Sequence, residues 1–445
     1  MRVLLVATYE LGQQPGNLAR PAARLLERGH DVRVLDTSLD PWDPAAAVWA
    51  DRVAFSVPMH TATRLARELA ATISRPVCCY GLYAGMCDDV ADLVIAGEYD
   101  DALVAWVEDQ PSGTPVQLGR VDPALPARGL LPPLERYVRL SIGDELRLVG
   151  SVEASRGCAH RCRHCPVPVV YDGRVRVVAE HAVLADIAQL VDAGAQHITF
   201  GDPDFLNAPH HAMRVVRSMH EQFPELTFDC TTKVEHLLRH EDLLDGIRDA
   251  GCLFVVSAFE SFNDRILEHL DKGHVAADAA HAVALLRTRG LDVRPSFVPF
   301  TPWTTRADIA AILDFVHEHD LVASVDPVQY TIRLLIPEGS LLLAHPDLAM
   351  HLGAWDEMRL SYAWAAADPE VDALQRDLAA LVEESVAGGD TIATSYARVR
   401  EAVGLAPVDL DGASTSRPHL TESWFCCAEP TDTQLRAVTT ALSPA

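Results

Sequence analysis

Apolar positions recur along this chain in two rhythms. Short unbroken apolar runs at residues 2–7, 32–35, 51–57 and 77–80 read as buried parallel strands. Stretches at 19–28 and 61–73, with apolar side chains three and four positions apart, read as helices, the first stopped by Gly29. Strand and helix alternate at a spacing that predicts an α/β, doubly wound Rossmann-like sheet over residues 1–108, with ligands at the carboxyl ends of its strands. Cys78 and Cys79 fall inside the fourth run, where neighbours point to opposite faces, and read as packing.

Residues 109–148 break the rhythm. They are rich in proline and charge and read as a linker. From 149 the alternation resumes. Strands are expected at 149–154, 197–200, 227–230, 253–258, 293–298 and 328–334, and helices at 180–193, 209–222, 234–250, 262–270, 277–289 and 306–319. About six βα units predict a partial (β/α)6 barrel of TIM type over 149–350, with its chemistry at the carboxyl ends of the strands. Asn263 and Asp264 suit a helix cap. Residues 351–445 read as a helical extension, with helices at 355–366, 369–387 and 391–403, ending in a polar, proline-flanked tail.

Composition narrows the class. At 445 residues the chain exceeds one ordinary domain, and 49% apolar residues supply a large core. No apolar run reaches about 18 residues, so no membrane span is expected. The amino end opens a strand without the basic region and cleavage site of a signal peptide, and a cytoplasmic location is expected. The ten cysteines fall into tight groups, the usage of a cytosolic metal or redox protein instead of a disulfide framework. A formal charge of −26 argues against a nucleic-acid partner.

The densest chemistry lies in Gly157-Cys158-Ala159-His160-Arg161-Cys162-Arg163-His164-Cys165-Pro166, a C-x3-C-x2-C loop after a strand. Three thiolates at this spacing can converge on one soft metal centre, and a four-iron cluster so held keeps one iron open to a substrate. The alternative is zinc, closed by His160 or His164 as fourth ligand. The spacing is the signature of the radical S-adenosylmethionine (SAM) superfamily, which the sequence closely resembles. That resemblance implies a 4Fe–4S cluster on Cys158, Cys162 and Cys165, with SAM chelated through its amino and carboxylate groups. Reductive cleavage of a carbon–sulfur bond would follow, usually giving a 5′-deoxyadenosyl radical. His164 stands where the family commonly has an aromatic residue near the adenine.

The ends of the expected strands carry further candidates. Asp202 and Asp204 stand where the superfamily binds the SAM ammonium, which a carboxylate can hold by a charge-assisted hydrogen bond. Lys233 follows the third strand, Glu260 and Ser261 the fourth; Arg294 and Ser296 lie on the fifth and Arg333 on the sixth. Lys233 and Arg333, cations entering an apolar barrel, suit a carboxylate or oxyanion. Phe259-Glu260-Ser261 together with Leu270-Asp271-Lys272-Gly273 resembles the cobalamin branch of the superfamily. The first domain, through Arg28-Gly29-His30-Asp31-Val32 and Ala96-Gly97-Glu98-Tyr99, resembles that branch's cobalamin-binding domain. It has no D-x-H-x-x-G motif, and its loop Gly81-Leu82-Tyr83-Ala84-Gly85 is partly filled. Two readings stay open: cobalamin without a histidine ligand, or a domain that now only packs against the barrel.

The tail holds Ser423-Trp424-Phe425-Cys426-Cys427-Ala428-Glu429-Pro430. Vicinal thiols are good soft donors and could serve as a redox pair, a thiol relay or a clamp for trivalent arsenic; packing beside Trp424 and Phe425 is the other reading. The tail resembles radical SAM proteins ending in C-C-A-E-P and, more distantly, the organoarsenical enzymes that move a 3-amino-3-carboxypropyl group from SAM to arsenic. This implies a transferase forming a carbon–heteroatom bond on a small molecule or metalloid, with Cys426 and Cys427 catalytic and a flavodoxin- or ferredoxin-like electron donor. A cobalamin-dependent radical methyltransferase and a non-enzymatic thiol-based metalloid sensor or carrier are the competing expectations.

Overall fold

The computed structural model describes residues 1–110, 114–119, 124–410 and 417–422; Cys426 and Cys427 lie outside the described residues. The first sheet contains β1 (Arg2–Ala7), β2 (Asp31–Asp36), β3 (Arg52–Ser56), β4 (Val77–Tyr80), β5 (Leu93–Gly97) and β6 (Val116–Gln117), all parallel, in the order β2-β1-β3-β4-β5-β6. Residues 3–7 of β1 are completely buried because helices cover both faces, which explains their unbroken apolar run. The strand order turns back at β1 and β3. Crevices at such a switch point receive ligands, and here the crevice opens between the loops after β1 and β3.

The second sheet is a curled half-barrel. Following β7 (Arg139–Ile142), β8 (Glu145–Val152), β9 (Ser155–Gly157) and β10 (Val175–Val177) come β11 (His197–Phe200), β12 (Thr227–Thr231), β13 (Cys252–Glu260) and β14 (Asp292–Phe297). β15 (Leu352–Asp356), β16 (Ser361–Trp364) and β17 (His419–Leu420) complete the strands; the half-barrel sheet has the order β14-β13-β12-β11-β8-β7-β17, while β9 with β10 and β15 with β16 form separate two-stranded sheets. Strands β8, β11, β12, β13 and β14 run parallel. The end of the proline-rich connector supplies β7, antiparallel to β8, and the chain returns at β17 to pair with β7.

Three expectations need correction; the helix expected at 234–250 is two short helices, Val234–Arg239 and Leu244–Asp249, with a 3-10 turn at Glu241–Leu243 between them. The strand expected at 328–334 is replaced by a 3-10 turn, Pro327–Tyr330, and one parallel bridge between Phe300 and Arg333. Pro327 has no N–H for a ladder, and the Gln329 side chain instead accepts the Phe297 N–H at 3.1 Å. The helix expected at 355–366 is the antiparallel hairpin β15–β16. Asp356 accepts the N–H groups of Met358 and Arg359, Leu360 turns the chain at φ +50°, and the Trp355 and Tyr362 rings meet across the strands at 5.1 Å. The helices Pro369–Ala387 and Ile392–Val403 follow.

The carboxyl ends of the two sheets face each other. Arg128 makes a buried two-pronged contact with Asp186 at 2.8 Å and reaches Gln14 at 3.0 Å, tying the loop after β1 to a barrel helix. Arg156 and Tyr171, either side of the cysteine loop, both bond to Glu98 after β5, at 2.6 and 3.0 Å. Among the described residues no helix is long and apolar enough to cross a membrane.

Candidate active site between two sheets

The cysteine loop starts at Gly157, whose φ is +74° and whose place no other residue could take: an added Cβ would lie 2.2 Å from the Arg174 carbonyl oxygen. Arg163 then pins the loop. Its N–H bonds to Leu270 O at 2.9 Å, and its guanidinium bonds to the carbonyls of Glu268 and His269, which end the helix Asp264–Leu270. Cys158 and Cys162 are buried and Cys165 is half-buried. All three line a cavity of about 350 Å³.

The barrel wall of that cavity is charged. Lys272 Nζ donates to Glu260 Oε1 at 2.9 Å, and His164 Nε2 lies 3.2 Å from the same oxygen. Burial alone would push the Glu260 carboxyl up, but Lys272, and His164 behind it, hold it well below the usual carboxylate range. Glu260 also adopts φ +63°, a strained conformation for a side-chain-bearing residue, of the kind that clusters at functional sites. Burial raises the Cys162 thiol, and the ammonium groups of Lys272 and Lys233 oppose that rise.

These features fit a three-thiolate cluster. Two buried cations sit where thiolate charge would collect, and the two loop histidines that could close a three-cysteine zinc site are engaged by other side chains. His164 faces Glu260, and His160 Nε2 lies 3.1 Å from His236.

Of the other residues singled out in the sequence, Asp202, Lys233 and Arg294 also line the cavity. Asp202 spends both oxygens on the loop, accepting the Ala154 N–H at 2.8 Å and the Ser155 hydroxyl at 2.5 Å. Burial pushes its pKa to about 7 against those hydrogen bonds. Arg294 pairs with Asp326 at 3.0 Å. The structure puts the remaining candidates elsewhere. Asp204 caps the turn Phe205–Asn207 through the Leu206 N–H. Ser261 accepts the Asn263 N–H at 3.2 Å, and Ser296 is buried in β14 without lining the cavity. Arg333 turns outward to Asp372 at 2.6 Å and stacks on Trp364.

The opposite wall comes from the first sheet: Glu10 after β1, Pro58 and Met59 after β3, and Leu82 and Tyr83 after β4. A second hollow of about 300 Å³ shares Glu10, Pro58, Met59 and Leu82 with this cavity and runs along the switch point past Gly81 and Gly97. Each hollow is of cofactor-binding size. The apolar wall suits the face of a flat macrocycle. Among the described residues no imidazole of the first sheet lines the cavity, because His60 is turned to the Leu360 carbonyl at 3.1 Å. A corrin there would receive no histidine from this sheet.

Glu10 and Lys272 are the residues that strand-end reasoning missed. Lys272 follows a helix and enters the sequence reading only within Leu270-Asp271-Lys272-Gly273, a motif paired with Phe259-Glu260-Ser261 but given no site role; nothing local marks Glu10. Burial first, and Asp36 second, push the Glu10 pKa to about 8, against hydrogen bonds from Ser56 and Asn17. The folded state therefore holds a proton that the unfolded chain releases, and this contribution to stability disappears as pH rises from the ordinary carboxyl range toward 8. Glu10→Gln is expected to melt with wild type at pH 4.5 and roughly 2–6 °C above it at pH 8.5 in thermal scans. Equal melting temperatures at pH 8.5 would show that Glu10 titrates normally.

Comparison with known proteins agrees with this geometry. Residues 152–316 match the Radical SAM superfamily; they form a radical SAM domain, the catalytic domain of an enzyme superfamily whose cofactors are a 4Fe–4S cluster and SAM. The hopanoid C-3 methylase of Methylococcus capsulatus is 22% identical over 340 residues, 67% of this chain and 64% of that protein, so the chain spans less than two thirds of that relative. The cytidylyl-2-hydroxyethylphosphonate methyltransferase of Streptomyces wedmorensis is 26% identical over 154 residues, covering 34% of this chain and 28% of that protein. Among solved structures, the cobalamin-dependent SAM radical enzyme OxsB with aqua-cobalamin bound superposes with a TM-score of 0.68 at 13% identity, over 86% of this chain and 67% of that one. The radical SAM methyltransferase TsrM from Kitasatospora setae, with cobalamin and a 4Fe–4S cluster bound, gives 0.55 at 19% identity, over 73% and 72%. At these identities the likeness establishes the fold: a Rossmann-like domain facing a radical SAM half-barrel.

Proposed function

We propose that the protein is a cobalamin-dependent radical SAM methyltransferase acting on a small molecule bound between its two sheets. One observation carries the reading: a single cavity has the three cysteines on one wall and the switch-point loops of the Rossmann-like sheet on the other. When bound, the cluster supplies the electron that cleaves SAM and cobalamin supplies a methyl carrier.

The chain's own residues do the positioning. Cys158, Cys162 and Cys165 hold the cluster, and Lys272 and Lys233 offset its negative charge. Asp202 holds the entry to the cysteine loop through Ala154 and Ser155. Pro58, Met59, Leu82 and Tyr83 present the apolar face toward the corrin and exclude water. Glu10 can hold or release a proton at its carboxyl near neutral pH. The electron comes from an external donor of flavodoxin or ferredoxin type.

A second reading has its own support. Glu422 lines the cavity and accepts the Tyr9 hydroxyl at 2.7 Å. Cys426 follows four positions later, a reach of at most about 14 Å of extended chain. The vicinal thiols Cys426 and Cys427 could then present trivalent arsenic to SAM for 3-amino-3-carboxypropyl transfer.

Anaerobic reconstitution with iron, sulfide and hydroxocobalamin, then reduction with SAM, separates the readings by product. S-adenosylhomocysteine with 5′-deoxyadenosine is expected for methyl transfer. Methylthioadenosine, lost in Cys426→Ser/Cys427→Ser, would replace that reading with aminocarboxypropyl transfer. Metalloid binding without any SAM cleavage would mean a sensor or carrier and overturn both.

A further inference from the structure

A second group of ligating side chains lies beside the cysteine loop and uses no thiol. His160 comes from the loop, Asp204 from the end of β11 and His236 from the helix Val234–Arg239. His160 Nε2 lies 3.1 Å from His236 Nε2 and 3.9 Å from Asp204 Oδ2. His236 Nδ1 lies 2.8 Å from that same oxygen. Asp204 is fully buried and His236 nearly so. Despite their approach, Asp204 Oδ2 and His236 Nδ1 have no partner in hydrogen-bonding geometry among the described residues. A buried carboxylate oxygen left in that condition costs several kcal/mol unless a cation meets it.

The spacing suits one particular cation. Ligands of a tetrahedral zinc ion, each about 2.0 Å from the metal, stand about 3.3 Å from one another. One ligand atom from each of the three residues, a single ring nitrogen from each histidine, lies within 4.8 Å of the other two. The surroundings match as well. His160 Nδ1, the nitrogen facing away, lies 3.5 Å from Glu235 Oε2, and Glu235 is held by Lys233 and Arg239. A carboxylate behind a ligating imidazole fixes its tautomer and its aim.

We propose that His160, Asp204 and His236 bind one Zn²⁺, with a fourth position for water, and that this ion fastens the cysteine loop to the barrel. His160 lies between Cys158 and Cys162, so the ion orders that segment. The site stands whether or not the protein transfers a methyl group.

Full-length protein carrying its iron–sulfur cluster is dialysed against Zn²⁺, and zinc, iron and sulfide are measured together. One zinc per chain is expected beyond the iron and sulfide. His236→Ala and Asp204→Asn should each weaken zinc binding by at least about 100-fold while iron and sulfide stay at the wild-type level. Zinc that remains substoichiometric in tenfold excess, or that persists in both variants, overturns the proposal; a plain hydrogen-bonded histidine pair then accounts for the cluster. Should the variants fail to fold, Co²⁺ added to the cluster-loaded wild type decides. Tetrahedral ligand-field bands without thiolate charge transfer support the site, and thiolate charge transfer, or no tetrahedral bands, overturns it.

Discussion

Alanine at Cys158, Cys162 or Cys165 is expected to abolish cluster loading and to lower SAM cleavage at least about 10³-fold, or roughly 4 kcal/mol of barrier. Each thiol is one of only three that the loop supplies, and the two loop histidines are placed against Glu260 and His236. No substitute donor stands ready. The fold should survive, because Cys→Ala removes little volume and the loop keeps its pins through Arg163 and Asp202. Iron and sulfide analysis with circular dichroism reads both effects. His164→Phe supplies the control: it keeps all three thiols and should keep its iron. A single-cysteine variant with wild-type iron and sulfide would remove the basis for the proposed chemistry.

The second large effect is expected at Lys272. Lys272→Met leaves Glu260 buried without its ammonium partner, and breaking a buried pair from one side typically costs about 3–5 kcal/mol. Glu260→Gln in the same chain should recover most of that loss, because no buried charge is then stranded. Chemical denaturation of the two single variants and the double variant measures the coupling. The pH dependence has a definite sign. Glu260 is depressed in the folded state, so its contribution is present above the ordinary carboxyl pKa and fades as pH falls below it. Lys272→Met should show a weaker acid dependence than wild type. The variant should also shift the cluster's midpoint potential negative, since a cation beside Cys162 and Cys165 favours the reduced state. An unchanged potential would mean that Lys272 serves the fold alone.

The first domain was legible because a parallel strand covered on both faces is a continuous apolar run, and β1 and β4 have the bounds their patterns predicted. The barrel strands β11 to β14 were found for the same reason. The hairpin β15–β16 was misread because Trp355 and Tyr362 stand seven apart and Leu360 and Trp364 four apart, intervals that also fit a helix; cross-strand ring packing decided between the two. The sixth barrel strand failed at Pro327. For the site, C-x3-C-x2-C was readable because covalent spacing alone brings three thiols together. The roles of Asp202 and Asp204 were not, since two carboxylates two positions apart meet different neighbours only when the start of β9, the end of β11 and the helix after β12 converge.

By itself the sequence determined the two sheets, the cysteine loop and which positions end the strands, because burial periodicity and chain spacing are local properties. Only the tertiary structure decided that the carboxyl ends of those sheets confront each other, that Glu10 and Lys272 share one cavity, and that the chain returns through β17 to bring Glu422 to its wall. Those outcomes depend on contacts between distant segments, such as Arg128 with Asp186 and Arg156 with Glu98. Such pairs leave no period in the sequence, and their energies appear only when packing removes the partners from water.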